Sequence, residues 1–234
     1  MALGTLPTEL LMIVIASYPQ LPLYVGGCIP GDEYLVRHRT IYALSQTCSR
    51  LRSVFLPLVW QSIEVFSCPP VRRVARYDEI LPPSGTRWKK VLATELIRQL
   101  EIVTVRDPTL ANYVQTVRIT LTDYSAKGVF PEVCRALAAM PNLRTLHILD
   151  VVDVESESQA LVREFNKMKP LLTVRDLAIP AKLAGIIPLM PNVQRLHFMP
   201  TSSPRNLVNV TKMLYHTQEL RILGHSLNIE RPDI

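Results

Sequence analysis

A short motif recurs along the second half of the chain and limits what that half can become. Val114-Gln115-Thr116-Val117-Arg118-Ile119 reappears as Leu143-Arg144-Thr145-Leu146-His147-Ile148, then as Val174-Arg175-Asp176-Leu177-Ala178-Ile179 and Val193-Gln194-Arg195-Leu196-His197-Phe198. Leu220-Arg221-Ile222-Leu223 suggests a fifth copy. Each copy sets an apolar residue, two variable positions, an apolar residue, one variable position and another apolar residue, the alternation of a strand. The copies start 29, 31, 19 and 27 residues apart. Helical segments are expected in the gaps, over 131–140, 158–168, 181–190 and 206–217.

Three strands follow turns of the form Met140-Pro141-Asn142, Lys169-Pro170 or Met190-Pro191-Asn192. Proline there stops the preceding helix and sets the strand register. A single strand and helix cannot cover their own apolar face, so the copies must stack. The pattern resembles the strand of a leucine-rich repeat, which implies an α/β chain whose second half is a short, irregular solenoid with a parallel sheet inside. An ordinary α/β layer fold would read similarly, and the likeness of the strand copies to one another favours the solenoid. The concave face of such repeats is a frequent partner-binding surface. Period-2 alternation turns Thr116, Arg118, Thr145, His147, Asp176, Ala178, Arg195 and His197 toward it. For any one of them, the plain solvent side of a sheet is the competing expectation.

At the other end, Leu6-Pro7-Thr8-Glu9-Leu10-Leu11-Met12-Ile13-Val14-Ile15 opens an apolar helix. Pro7 suits a first turn and Glu9 the positive end of the helix dipole. Leu6, Leu10, Ile13 and Val14 fall on one face at offsets 0, 4, 7 and 8. A helix this short is marginal alone and needs partners. Ile41 and Leu44 repeat at helical spacing before a break at Thr47 to Ser49, where Thr47 or Ser49 is expected to cap the next helix. Leu51, Val54, Phe55 and Leu58 carry that helix until Pro57 ends or kinks it.

The Leu6-Pro7-x-Glu9-Leu10 start, the Leu44-Ser45-Gln46-Thr47-Cys48-x-x-Leu51-Arg52 middle and the Trp60 end resemble an F-box of the fungal type. That resemblance covers about a quarter of the chain. It implies three helices docking on a Skp-type adaptor, and through it on a cullin ubiquitin ligase, with Leu6, Pro7, Leu10, Ile13, Val14, Leu44, Cys48 and Leu51 at the contact. The sequence departs from the family over residues 19–39, a Pro- and Gly-containing insertion expected as a loop.

The expected organisation is an F-box-like domain over 1–66, a linker over 67–86 marked by Pro69-Pro70, Pro82-Pro83 and Ser84-Gly85, and the repeats over 87–234. The repeat region would open with a helix over 87–104 that aligns Trp88, Leu92, Leu96, Leu100 and Val103. With 48% hydrophobic and 20% charged residues the 234-residue chain can bury a sizeable core. Its longest apolar run, Leu10 to Ala16, is far short of the roughly 20 residues of a membrane span. No Lys or Arg precedes that run, which argues against a secretory signal and for an intracellular protein, cytoplasmic or nuclear. Cys28, Cys48, Cys68 and Cys134 are scattered, with no zinc-ligand spacing, and read as reduced thiols.

The net charge of +6 invites nucleic acid as a partner. Its basic residues are dispersed in small groups without a stripe or a reading motif, so no nucleic-acid or membrane partner is expected. No nucleophile elbow, phosphate loop, zincin motif or dinucleotide fingerprint is present. The expectation is a substrate receptor without catalysis or cofactor, holding an unknown protein substrate on the repeats. Its rivals are a leucine-rich-repeat-like scaffold with no ligase connection, and an enzyme in which His147, His197 and Asp176 form a catalytic cluster.

Overall fold

The computed structural model describes residues 6–17, 32–65, 87–151, 155–199 and 219–222. The chain divides into two compact units, Met1–Ser62 and Ile63–Ile234.

The first unit holds α1 (Thr8–Ala16), α2 (Asp32–Ser45) and α3 (Ser49–Val59). Leu11 and Ile15 of α1, Ile41 of α2 and Leu51, Phe55 and Val59 of α3 make its core, with Leu6, Leu44, Val54, Leu58 and Trp60 packed against it. The spacing of Leu51, Phe55 and Val59 keeps one stripe of α3 inward. α2 begins inside the segment expected as a loop: after Pro30 and Gly31 the run from Asp32 has no breaker, and its acidic start favours the amino end of a helix. Residues 19–31 lie outside the described residues. Neither Thr47 nor Ser49 caps α3. Cys48 is its N-cap, extended at φ −155° and ψ 166°, while the Thr47 hydroxyl donates back to the Leu44 carbonyl at the end of α2. Pro57 does not end α3, which runs on to Val59 and closes with Trp60 N–H on the Leu56 carbonyl at 3.2 Å.

The second unit carries a six-stranded sheet in chain order: β1 (Ser62–Val65, its Ser62 the last residue of the first unit), β2 (Thr116–Leu121), β3 (Thr145–Val151), β4 (Asp176–Pro180), β5 (Arg195–Met199) and β6 (Glu219–Ile222). The five strands β2 to β6 all run parallel. α4 (Arg87–Glu101), α5 (Ala126–Ala138), α6 (Glu155–Phe165) and a 3-10 segment (Ala181–Leu189) pack side by side in that order. Val117, Ile119, Leu146, Ile148, Leu177, Ile179, Leu196 and Phe198 fill one face of the sheet, all buried. Leu96, Leu100, Val103, Val133, Leu137, Leu161, Phe165, Leu183 and Ile186 are among the buried side chains of the helical layer. Burial of apolar area of this extent, at about 25 cal/mol per Å², is the main force holding the layers.

The expected fold is thereby corrected. The structure is an α/β fold built on an all-parallel five-strand sheet, not a three-helix F-box followed by a leucine-rich-repeat-like solenoid. The first four strand copies stand in register, motif position against motif position, but the returns between them are unequal. Register partners Thr116 and Thr145, Thr145 and Asp176, Asp176 and Arg195, and Arg195 and Glu219 are 29, 31, 19 and 24 residues apart. The returns differ in kind as well as length, two of them α-helical and one 3-10. The last copy is displaced: Leu220 pairs with Leu196, the middle apolar position, and not with the first. On the sheet face expected to meet a partner, Arg118, His147, Asp176, Ala178 and His197 are buried.

Some local expectations also shift. The helix expected from 131 begins at Ala126, with Pro131 inside it. The carbonyl that loses its donor there belongs to exposed Lys127, where water can replace it. The helix expected to 104 gives way after Glu101 to a π turn, Ile102–Arg106. The linker at 67–86 and the helix at 206–217 lie outside the described residues. Among the described residues no helix is long and apolar enough to cross a membrane.

Candidate functional site

On α1 the apolar side chains divide between two directions. Leu11 and Ile15, one turn apart, face the core of the first unit. Leu10, Ile13 and Val14, related by three and four residues, share a face that is 47%, 64% and 48% exposed. Met12 is exposed beside them. Of the remaining residues expected at an adaptor contact, Pro7 and Cys48 are exposed, Leu6 and Leu44 half-buried, and Leu51 is fully part of the core. The Leu6 carbonyl accepts from Arg50 Nη2 at 3.0 Å, which ties the chain ahead of α1 to α3.

In the second unit a polar row crosses the sheet on the face opposite the helices. Parallel register sets Arg118 beside His147, His147 beside Ala178 and Ala178 beside His197, with Thr116, Thr145, Asp176 and Arg195 one pleat earlier. Asp176 is the centre. Its Oδ1 stands 3.4 Å from His147 Nε2 and 3.3 Å from His197 Nε2, and Arg195 Nη2 lies 3.0 Å from Oδ2. That last contact is an ion pair without the direction of a hydrogen bond. The two imidazoles meet edge to face with centroids 6.3 Å apart. Thr116 and Thr145 are half-buried and Arg195 exposed.

The protonation pattern follows from these contacts. Burial alone would raise the Asp176 carboxyl, but the hydrogen bonds and charge of His147 and His197 outweigh it and hold it well below the usual carboxylate range. An ionised carboxylate only accepts, so each facing Nε2 carries hydrogen. Burial lowers His147 despite the hydrogen bond and charge of Asp176, and the guanidinium of Arg118 adds to the lowering, so the ring is neutral at pH 7. His197 Nδ1 is buried and has no partner among the described residues. The row ends at a second buried pair: Arg118 Nη1 donates to Glu64 Oε1 at 3.2 Å. Burial pushes Glu64 up to about 7 against the opposing charge and hydrogen bond of Arg118.

The structure thus gathers Arg118, His147, Asp176 and His197 in one buried network and leaves Arg195 at its rim. Sequence reasoning missed Glu64, whose signal was its place between two apolar residues of a strand, Ile63 and Val65, on the varying side of the alternation. Among the described residues no group of three His, Cys, Asp or Glu is placed to hold a metal ion. No protein-family model matches the sequence, and no curated protein matches it.

Proposed function

We propose that the chain is a non-catalytic receptor subunit that works inside the cell, in cytoplasm or nucleus. Its first unit would dock on a Skp-type adaptor of a cullin ubiquitin ligase, and its second would hold a target protein. The exposed stripe Leu10, Ile13 and Val14 carries this reading. Single exposed apolar residues are ordinary, but a contiguous stripe on one short helix marks a surface that another protein covers. An amphipathic helix laid into an apolar groove is the binding mode such a stripe fits. The second support is the resemblance of the Leu6 to Trp60 sequence to an F-box, three of whose expected adaptor positions, Leu10, Ile13 and Val14, form this stripe. Catalysis by proximity asks no chemistry of the receptor itself.

A second reading, a protein-binding scaffold without ligase connection, draws on Leu51 and Leu44. Both are expected at the adaptor contact, yet they pack into the unit's own core. Co-purification decides between the two. The receptor reading expects the full chain to retain a Skp-type adaptor, and Leu10→Asp to weaken that complex at least about thirtyfold, a loss of ~2 kcal/mol. The thermal midpoint should stay unchanged. A wild-type chain that fails to retain the adaptor ends this reading and leaves the scaffold.

A further inference from the structure

A cavity of about 460 Å³ opens at the turns that lead into β3, β4 and β5. Its walls include Asn142, Arg144, Thr173, Arg175, Asn192 and Gln194, and no acidic side chain. Backbone pairing places the two arginines side by side. Arg175 N–H and Asp176 N–H both donate to the Arg144 carbonyl, at 2.8 and 3.0 Å, and Gln194 N–H and Arg195 N–H repeat the pattern on the Arg175 carbonyl at 2.8 and 2.9 Å. Neighbouring strands lie about 4.8 Å apart, and like charges directly opposite one another at that distance repel.

Arg98, Arg106 and Arg135 each meet a glutamate at 2.6 to 3.0 Å. Arg144 and Arg175 meet none among the described residues. The turns that flank them are fixed. Asn142 Nδ2 donates to the Asn112 carbonyl and Asn192 Nδ2 to the Leu172 carbonyl, each at 2.7 Å. The cavity therefore keeps its shape while carrying two uncompensated guanidinium groups.

We propose that this cavity is an oxyanion site that takes a phosphate group. Each guanidinium presents a planar fork that grips two oxygens. One carboxylate satisfies one fork, whereas a phosphate has enough oxygens for both, and its second charge answers the second arginine. Thr173 and Gln194, whose side chains carry neutral donors, line the same cavity. The group can arrive as the free ion or as a small phosphomonoester, and both present the same terminal oxygens. The site lies wholly in the second unit and stands independently of the adaptor reading.

The test titrates the full chain with inorganic phosphate, with glycerol 3-phosphate and with acetate, at constant ionic strength set by chloride, and follows binding by calorimetry and phosphorus NMR. One saturable site is expected for phosphate, ester or both, and whichever binds tighter identifies the source. Arg144→Gln and Arg175→Gln should each weaken it about tenfold and the double variant about a hundredfold, since a hydrogen bond to a charged group is worth that much. Both side chains are exposed, so thermal unfolding of the variants should match the wild type and show that the loss is not one of folding. Absence of saturable binding, an unaffected double variant, or acetate binding as tightly as phosphate would each overturn the proposal.

Discussion

Ile13 on α1 and Asp176 on β4 break the usual sorting of side chains in opposite senses. One is apolar and 64% exposed, the other charged and 1% exposed. Around Ile13 the neighbours Leu10, Met12 and Val14 are exposed too; around Asp176, His147, His197 and Arg118 are buried too. The two regions differ in what satisfies them. Asp176 draws its charged and polar partners from within the chain, two imidazoles and a guanidinium. The apolar stripe finds no complement among its own unit's core residues, and its free energy of burial is still available to another surface. The buried charges face partners of their own, and the apolar stripe faces none in its own unit's core.

Substitutions test that division most severely at its centre. Asp176→Ala should destabilise the second unit by about 4 kcal/mol, because it leaves two buried ring N–H groups and Arg195 facing no acceptor. Urea unfolding checks this, and a loss under about 1 kcal/mol would mean that the row is decorative.

The next largest effect is one of pH. Folding raises Glu64 from 4.5 to about 7, so the folded state holds that proton more tightly than the unfolded chain does. Its contribution is full below pH 4.5 and is lost as pH rises through about 7. Comparison of wild type with Glu64→Gln should therefore show the wild type losing up to about 3 kcal/mol relative to the variant across that interval. His147 runs the other way: its lowered pKa gives stability that is present above its unfolded value of 6.5 and falls on acidification.

Two neighbouring substitutions on α1 then sharpen the contrast within a single helix. Leu11→Ala, at a core position, should cost about 2 kcal/mol or more. Ile13→Ser, two residues on, should move the unfolding midpoint by no more than about 0.5 kcal/mol, the ordinary range for a surface change. Equal costs at the two positions would erase the distinction between inward and outward faces of α1.

Much of this was legible in the residues, and the failures have physical causes. The strand copies located β2 to β5 because period-2 alternation survives any packing arrangement. Whether such strands build regular repeats or an ordinary layered sheet depends on the returns between them, and those are unequal here. Register failed at β6, where Leu220 was read as a first apolar position although Thr217 stands 24 residues after Val193 and carries no apolar signal. Proline misplaced two helix bounds: α3 runs past Pro57, and α5 starts before Pro131. His147, Asp176 and His197 meet on one face of the sheet, joined through the Asp176 carboxylate. Alternation gives the side of a sheet and not what covers it, so their burial was beyond its reach. The arginine pair at the turns went unnoticed because Arg144 and Arg175 sit in the variable slot of the motif, where any residue fits the pattern.

The order of strands in the sheet is the order in the chain, from β1 to β6. No strand has to be threaded between two that are already joined, and each new edge finds its neighbour within a few dozen residues. A chain leaving the ribosome amino end first can therefore add strand upon strand as it emerges, with only the newest edge waiting for a partner.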